Sequence, residues 1–436
     1  MYLNTNLQRN QMAKTHHFLL ATICLMAYSF VQAGEEAREF LPHSSVSTPQ
    51  DAGVNARTHF KILIPPGGYV SLNNEINLRP SLAPSPKVAS GSPPYLSAYE
   101  TPASLACNYN ITTAVSGCSP ANYSSMANPT GGSRAIALVD AYHYANAASD
   151  LSKFSTQFGL PAPTLQVVYA SGTKPASDPL GWEVEAALDL QWAHAMAPNA
   201  KLYLVEAKSN SIADLLLAVD KATALVAAAG GGEVSMSWGS AESSSEASYD
   251  SHFNNAVNKV VYFASSGDSA GTSWPCVSSN VVCVGGTTMR RNPSSGNLVA
   301  EVGWSDGGGG VSAYIAKPGY QSAIPGVSNR SVPDVASAAD PRTGGWIYYT
   351  ASNLSFMGWM IVGGTSWAAP SFAAIVNQSG SFLDSSNAEL TTIYANSSSY
   401  RDINSGWCSY YGGVSATAGW DACTGLGVNN TRVSGK

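Results

Sequence analysis

The sequence predicts an α/β fold, with one large domain carrying a parallel sheet and helices on its faces. Three observations lead there. Short apolar runs alternate with helical stretches from residue 134 to residue 265. The runs are apolar along their length, as strands buried on both faces are. The chain has 436 residues, room for one large domain or two, and no internal repeat.

The elements follow in order. Residues 135–140 (AIALVD) form a buried strand that ends on a carboxylate. Residues 147–158 read as a helix and 165–169 as a strand. A long helix follows at 182–197, a strand at 202–206 and a helix at 211–229. Strands at 234–238 and 260–265 complete the series. Strands separated by helices pair in parallel through crossovers. Functional groups of such sheets gather at the carboxyl ends of the strands. Asp140, Trp238 and Asp268 fall at or just beyond such ends.

Composition narrows the function. Only 11% of residues are charged, and the net charge of −6 comes with no basic block, which argues against nucleic acid as a partner. Residues 1–33 read as a secretory signal: Lys14, His16 and His17 precede an apolar run over 18–31, and Val31-Gln32-Ala33 offers a cleavage site. Met12 is an alternative start. The run is short for a membrane span, and no later stretch is long and apolar enough to cross a bilayer. The mature protein is expected outside the cell, with no span. Of seven cysteines, Cys24 lies in the signal. The others form three local pairs, Cys107 with Cys118, Cys276 with Cys283, and Cys408 with Cys423. In an exported protein these read as disulfides, with pairing by proximity favoured among the open connectivities. Residues 34–95 form a leader of little periodicity that ends in a Pro/Ser linker over 80–94, and compact sequence starts near Tyr95. The leader is short for an independent folding module: it is either a reduced propeptide or a tether on a domain that folds without one. The remaining domain is 96–436.

The sharpest chemistry lies at residues 363–370, Gly-Gly-Thr-Ser-Trp-Ala-Ala-Pro. Two glycines permit a tight turn, and an Ala-rich helix follows over 367–378. Ser366 therefore sits where a loop enters a helix, either as an N-cap or as a nucleophile facing the positive end of the helix dipole. A nucleophilic serine needs a base. Four of the seven histidines lie in the signal or the leader, which leaves His143, His194 and His252 in the domain. None stands in a His-Gly-Thr-His context. The helix over 182–197 offers carboxylates instead. Glu185 and Asp189 are four residues apart, on one face of it. Asp268 follows a strand end in Ser-Ser-Gly-Asp-Ser.

Together, in this order, Glu185-Ala-Ala-Leu-Asp189, Ser266-Gly267-Asp268-Ser269 and Gly364-Thr365-Ser366 with Pro370 resemble the signatures of the sedolisins, the serine-carboxyl peptidases. Ser237-Trp238-Gly239 and Pro333-Asp334-Val335 also look like family segments, and the resemblance covers residues 95–428. It implies a subtilisin-like parallel sheet flanked by helices in a single large catalytic domain, acting on polypeptides as an endopeptidase or tripeptidyl-peptidase. It implies Ser366 as nucleophile, Glu185 as general base and acid, Asp189 as its orienting partner and Asp268 as donor to the oxyanion. Asp140 and Trp238 match positions that extend the network. Chemistry agrees with these roles. Glu titrates near about 4.3 and His near about 6.5, so a glutamate base moves the optimum to about pH 3–5. An aspartate that donates to an oxyanion must keep its proton.

The resemblance also implies one structural calcium ion, held by Asp402 and Asp421 with the carbonyls of Ile403, Thr417 and Gly419. Cys408 and Cys423 flank that loop. A monomer is expected. Two other readings stand beside this one: an inactive binding protein on the same fold, and a Ser-His-Asp peptidase using His143 or His194.

Overall fold

The structure, a computed structural model, describes residues 37–65, 69–70, 76–77, 99–254, 259–409 and 413–431. The signal at 1–33, with Met12 and Cys24, and the linker at 80–94 lie outside the described residues. The main sheet has eight strands. From one edge they are Thr164–Tyr169, Lys201–Ala207, Ala135–Ala141, Gly232–Met236, Val260–Ser265, Val282–Arg291 and Leu298–Gly303, with Val335–Ala338 also paired to Val282–Arg291. All pairings are parallel except that of Leu298–Gly303. Ala135–Ala141 lies in the middle and every residue in it is buried, which explains its unbroken apolar run.

Local signals set the helix ends. Ser211 caps the helix Ile212–Ala228 by accepting from the Asp214 amide at 3.2 Å. The helix Ala147–Phe158 stops at Gly159, which takes the left-handed conformation. The helix Trp182–Met196 has no solvent face, and all its residues are buried. It packs against the helix Thr365–Gln378, with the Trp192 and Trp367 rings 4.9 Å apart. Glu185 and Asp189 are thereby carried into the interior. Among the described residues, no helix is long and apolar enough to cross a membrane.

A second sheet is antiparallel and runs Arg38–Phe40, Lys61–Ile64, Met357–Gly363, Gly345–Thr350. Its first two strands come from the stretch read in sequence as leader. Residues 36–436 form one unit, so this stretch shares a body with the domain. Lys-Ile-Leu-Ile at 61–64 is a strand-forming apolar run, and it covers the edge of Met357–Gly363. Arg57–Thr58 pairs separately with Trp238–Ala241.

Two of the expected disulfides are present, Cys107–Cys118 and Cys276–Cys283. The third expectation is corrected, because Cys408 and Cys423 are free buried thiols. The Cys408 sulfur lies 3.7 Å from the Val414 carbonyl and 3.8 Å from that of Ala422. Its hydrogen bond with Cys408, then burial, pushes the Cys423 thiol far up.

Candidate active site

Ser366 occupies the first turn of the helix Thr365–Gln378. Gly364 makes that position possible. It has φ of +124°, and a Cβ there would collide with the His59 carbonyl oxygen and stand 2.5 Å from Asp268 Oδ2. Pro370 lies inside the same helix. It has no N–H to give the Ser366 carbonyl four residues back. The Ser237 hydroxyl is 3.1 Å from that carbonyl and replaces the missing donor.

The Ser366 hydroxyl lies 3.0 Å from Glu185 Oε2 and 3.0 Å from the Ser237 carbonyl. Glu185 hydrogen bonds Asp189, whose Oδ1 lies 2.7 Å from the Ser237 hydroxyl. Asp140 acts electrostatically on both carboxyls. All three acids are buried. Glu185 Oε1, Asp189 Oδ2 and both oxygens of Asp140 have no hydrogen-bond donor in the structure. A bare buried carboxylate without donors is costly, so the cluster must hold protons. The shifts run that way. Burial, then Asp189 and Asp140, pushes Glu185 well above the usual carboxyl range. Burial and Asp140 do the same to Asp189, and burial and Glu206 to Asp140. The Ser237 hydroxyl has one hydrogen and two acceptors in reach. A proton on Asp189 resolves the conflict by donating to Ser237 and freeing its hydrogen for the Ser366 carbonyl.

Asp268 stands on the other side of the serine. Its Oδ1 accepts from the Thr365 amide at 2.8 Å and the Thr365 hydroxyl at 2.9 Å. Its Oδ2 is buried with no partner. Burial lifts its pKa to about 7, against the pull of the Thr365 amide. A protonated Oδ2 is thus available beside the Ser366 amide. These two groups can hold a developing oxyanion between them.

Ser366, Glu185, Asp189, Asp140 and Asp268 therefore come together around one serine. Trp238 enters differently. Its indole donates to the Val139 carbonyl at 2.8 Å and packs on Trp274, which anchors the strand Trp238–Ala241 next to Asp140. The histidines stand elsewhere. His143 Nδ1 pairs with Glu206 at 2.7 Å, and His194 Nε2 bonds the Pro161 carbonyl at 3.0 Å. Among the described residues, no histidine ring is hydrogen-bonded to Ser366.

Sequence reasoning missed two contributors. Ser237 lies in a motif that it quoted without a role, although Ser-Trp-Gly after a strand end was the signal. His59 was set aside with the leader. Its N–H donates to Ser366 Oγ at 3.0 Å, and its carbonyl accepts from the Ser366 amide at 2.9 Å. Beside it opens a cavity of about 530 Å3, lined by Arg57, His59, Gly239, Ser240, Asp268 and Gly271 among others.

The loop proposed for calcium gathers oxygen. Asp402 Oδ2 accepts from the Gly419 amide at 2.9 Å, and Asp421 Oδ2 from the Thr417 amide at 2.9 Å. Asp421 Oδ1 accepts from the Cys423 and Thr424 amides, both at 2.8 Å. The Thr424 hydroxyl lies 3.3 Å from both the Ile403 carbonyl and Asp421 Oδ1. The five expected residues thus share one loop system, with hard oxygen donors that suit calcium. Among the described residues there is no group of three or more His, Cys, Asp or Glu side chains that could hold a metal. An ion here would rely on backbone carbonyls.

No family model matches the chain. Individual relatives do. The chain is 33% identical over 315 residues to kumamolisin from Bacillus sp. (strain MN-32), covering 64% of this chain and 55% of kumamolisin. It is 33% identical over 182 residues to sedolisin from Pseudomonas sp. (strain 101), covering 37% of this chain and 29% of that protein. The chain thus spans about half the length, or less, of these curated relatives. Among solved structures it matches Pseudomonas sedolisin, a serine-carboxyl proteinase complexed with two molecules of pseudo-iodotyrostatin. The TM-score is 0.62 at 26% identity, over 76% of this chain and 95% of that one. The parallel sheet with flanking helices is the subtilisin-like fold of that structure. These relatives and this structure support the sedolisin family for the chain.

Proposed function

We propose that this protein is a secreted, acid-acting serine peptidase that hydrolyses peptide bonds through Ser366, Glu185 and Asp189, with Asp268 in the oxyanion hole. One observation carries the reading: the Ser366 hydroxyl meets Glu185 at 3.0 Å, and Asp189 stands behind it. A polypeptide lies along the strand Trp238–Ala241 and presents a carbonyl to the Ser366 amide. Ser366 Oγ attacks the carbonyl carbon and passes its proton to Glu185. Asp189, coupled to Asp140, stabilises the protonated glutamic acid. The oxyanion takes hydrogen bonds from the Ser366 amide and from protonated Asp268. Glu185 then protonates the leaving amine, and water releases the acyl group by the reverse sequence. Trp238 holds the substrate strand in place and takes no part in proton transfer.

Asp268 donates only while protonated, so activity falls as pH rises through about 7. Glu185 must lose its proton to act as base, which limits activity at the acid end. Asp402, Asp421 and the carbonyls of Ile403, Thr417 and Gly419 would hold one calcium ion. The ion would tie the loop together and take no part in the chemistry. The signal at 1–33 supports export, and we take the mature protein to be a monomer.

The test is a pH–rate profile on denatured protein for the wild type and Glu185→Gln. An acid optimum lost on substitution, by about 10³-fold or more, is expected from the weight of a general base in such a unit. A neutral optimum that survives the substitution would return the base to a histidine.

A further inference from the structure

We infer that Glu206 and His143 are positioning residues for the catalytic acids: they carry the negative charge at the far end of the cluster and thereby keep a proton on Asp140. The inference rests on the peptidase reading above. Its observations are separate and concern the strand Lys201–Ala207 and the loop that follows Ala135–Ala141.

Register comes first. Asp140 and Glu206 are paired on neighbouring parallel strands, Ala135–Ala141 and Lys201–Ala207. Paired residues point to the same face of a pleated sheet. Ile136, Leu138, Leu202 and Leu204 lie on that face and share one apolar core with Val184 and Leu188 of the helix Trp182–Met196. The acids therefore form a chain across this layer. Glu206 acts electrostatically on Asp140, and Asp140 acts on Glu185 and Asp189.

The two carboxyls have opposite surroundings. Both oxygens of Asp140 are buried without a donor. Each oxygen of Glu206 has a partner: Oε1 accepts from the Tyr144 amide at 3.0 Å, and Oε2 lies 2.7 Å from His143 Nδ1. The backbone is bent to supply them. Tyr142 has φ of +65°, a region that a bulky side chain rarely adopts. That turn carries His143 and Tyr144 back over the end of Lys201–Ala207. It is pinned by the Tyr142 amide on the Ala207 carbonyl at 2.9 Å and by the His143 amide on the Ala176 carbonyl at 2.8 Å. The His143 ring meets the Tyr169 ring edge-on, 5.6 Å between centroids, and Tyr169 is itself paired with Glu206.

Donor supply decides which acid of a close pair ionises. Glu206 takes the charge, and Asp140 keeps the proton. The groups that face the pair agree with this. Burial raises Glu206, and the Tyr144 amide, the hydrogen bond and charge of His143, and the Lys174 ammonium pull it back. Burial, then Glu206, pushes Asp140 well above the carboxyl range. From the helix, Asp140 faces Glu185 and Asp189. A neutral Asp140 leaves Glu185, supported by the Ser366 hydroxyl at 3.0 Å, as the acid that ionises and serves as base. An ionised Asp140 would raise Glu185 and hold the base in its protonated form. Glu206 and His143 thus act through Asp140 and pass no proton to the substrate.

The experiment measures kcat of the full chain on denatured casein across acid and neutral pH, with folding checked by circular dichroism. Glu206→Gln removes the charge and keeps the shape. Asp140 then ionises at lower pH and Glu185 at higher pH, so the acid limb of the profile should move up by about one pH unit, the lower end of what one close charge does. His143→Gln should move it the same way by less. The double variant should match Glu206→Gln alone, because His143 acts through Glu206. Glu206→Asp should restore part of the shift. His252→Gln, which breaks the surface pair with Asp220, should leave the limb in place. An unmoved limb in Glu206→Gln, whatever its kcat, makes the pair structural and overturns the inference, while the peptidase reading stands. Shifts that add in the double variant also overturn it. If Glu206→Gln does not fold, infrared titration of His143→Gln reads the same proton. The band of a protonated buried carboxyl that Asp140→Asn removes should vanish at lower pH than in the wild type, and an unshifted band overturns the inference. A wild type without hydrolysis at any pH removes the peptidase reading and the inference together.

Discussion

Two buried acid sites in this molecule differ in how well they are satisfied. Asp334 accepts from Arg330 through both oxygens at 2.6 Å, from the Cys283 amide at 2.8 Å and from the Tyr394 hydroxyl at 2.8 Å. Burial would lower Arg330, but Asp334 overrides it and raises the guanidinium further. Asp140, Glu185 and Asp189 are equally buried and Asp268 is half-buried beside them, yet five oxygens of this cluster have no donor. Every lone pair that Asp334 needs is supplied, and it ties loops and strands together. The cluster is short of donors and must hold protons that it can move. A buried carboxylate is therefore structural or chemical according to the donors around it. Asp421 lies between the two, accepting from three backbone amides.

The largest contrast should come from truncating one acid at each site. Asp334→Ala leaves Arg330 buried and unpaired. It should cost about 3–5 kcal/mol in denaturant unfolding while the surviving folded protein keeps its rate. Asp268→Ala should do the reverse: lower kcat by about 10²–10³-fold, as loss of one oxyanion donor does, with a small change in stability. Equal stability losses at the two positions would break the comparison.

A smaller effect separates the sites by pH. The raised carboxyls bind protons more tightly folded than unfolded. Their contribution is complete below the unfolded range of about 4 and is lost as pH rises, for Asp268 through about 7. Asp51 has the opposite sign. Burial lifts it, but Arg57 and Thr48 outweigh burial and hold it at about 2. Its contribution is present above about 4 and lost as pH falls through 2. The melting temperature should peak at mildly acid pH and decline towards pH 8, and Asp268→Asn should flatten the decline near 7. A melting temperature that climbs steadily to pH 8 would contradict the proton-holding cluster.

The smallest expected effect tests the intermediate case. Adding a chelator should lower stability, by about 2.7 kcal/mol if free calcium stood at a hundred times its dissociation constant. Asp421→Ala should abolish that response. A wild type indifferent to chelator would make Asp421 a purely structural acid, like Asp334.

Much of this was legible in the sequence because it is local. The strand at 260–265 and the helix at 147–158 coincide with Val260–Ser265 and Ala147–Phe158. The helix at 182–197 ends one residue earlier, at Met196. Glu185 and Asp189 share a helix face by spacing alone, and the double glycine marks the turn before Ser366. The leader was less legible. Lys61–Ile64 has strand residues, but nothing local says which edge it joins. Likewise, local pairing suggested a Cys408–Cys423 bridge, and the two sulfurs are instead unbonded thiols.

The sequence by itself determined the periodicities, the turn glycines and the identities of the acids, because each depends on neighbours a few residues away. Only the tertiary structure decided which acids lack donors, that Ser237 fills the gap left by Pro370, and that His59 lies on Ser366. Those outcomes depend on contacts between residues far apart in the chain, 307 positions in the case of His59 and Ser366. Burial and donor supply arise only when such segments meet, and they separate a working acid from a structural one.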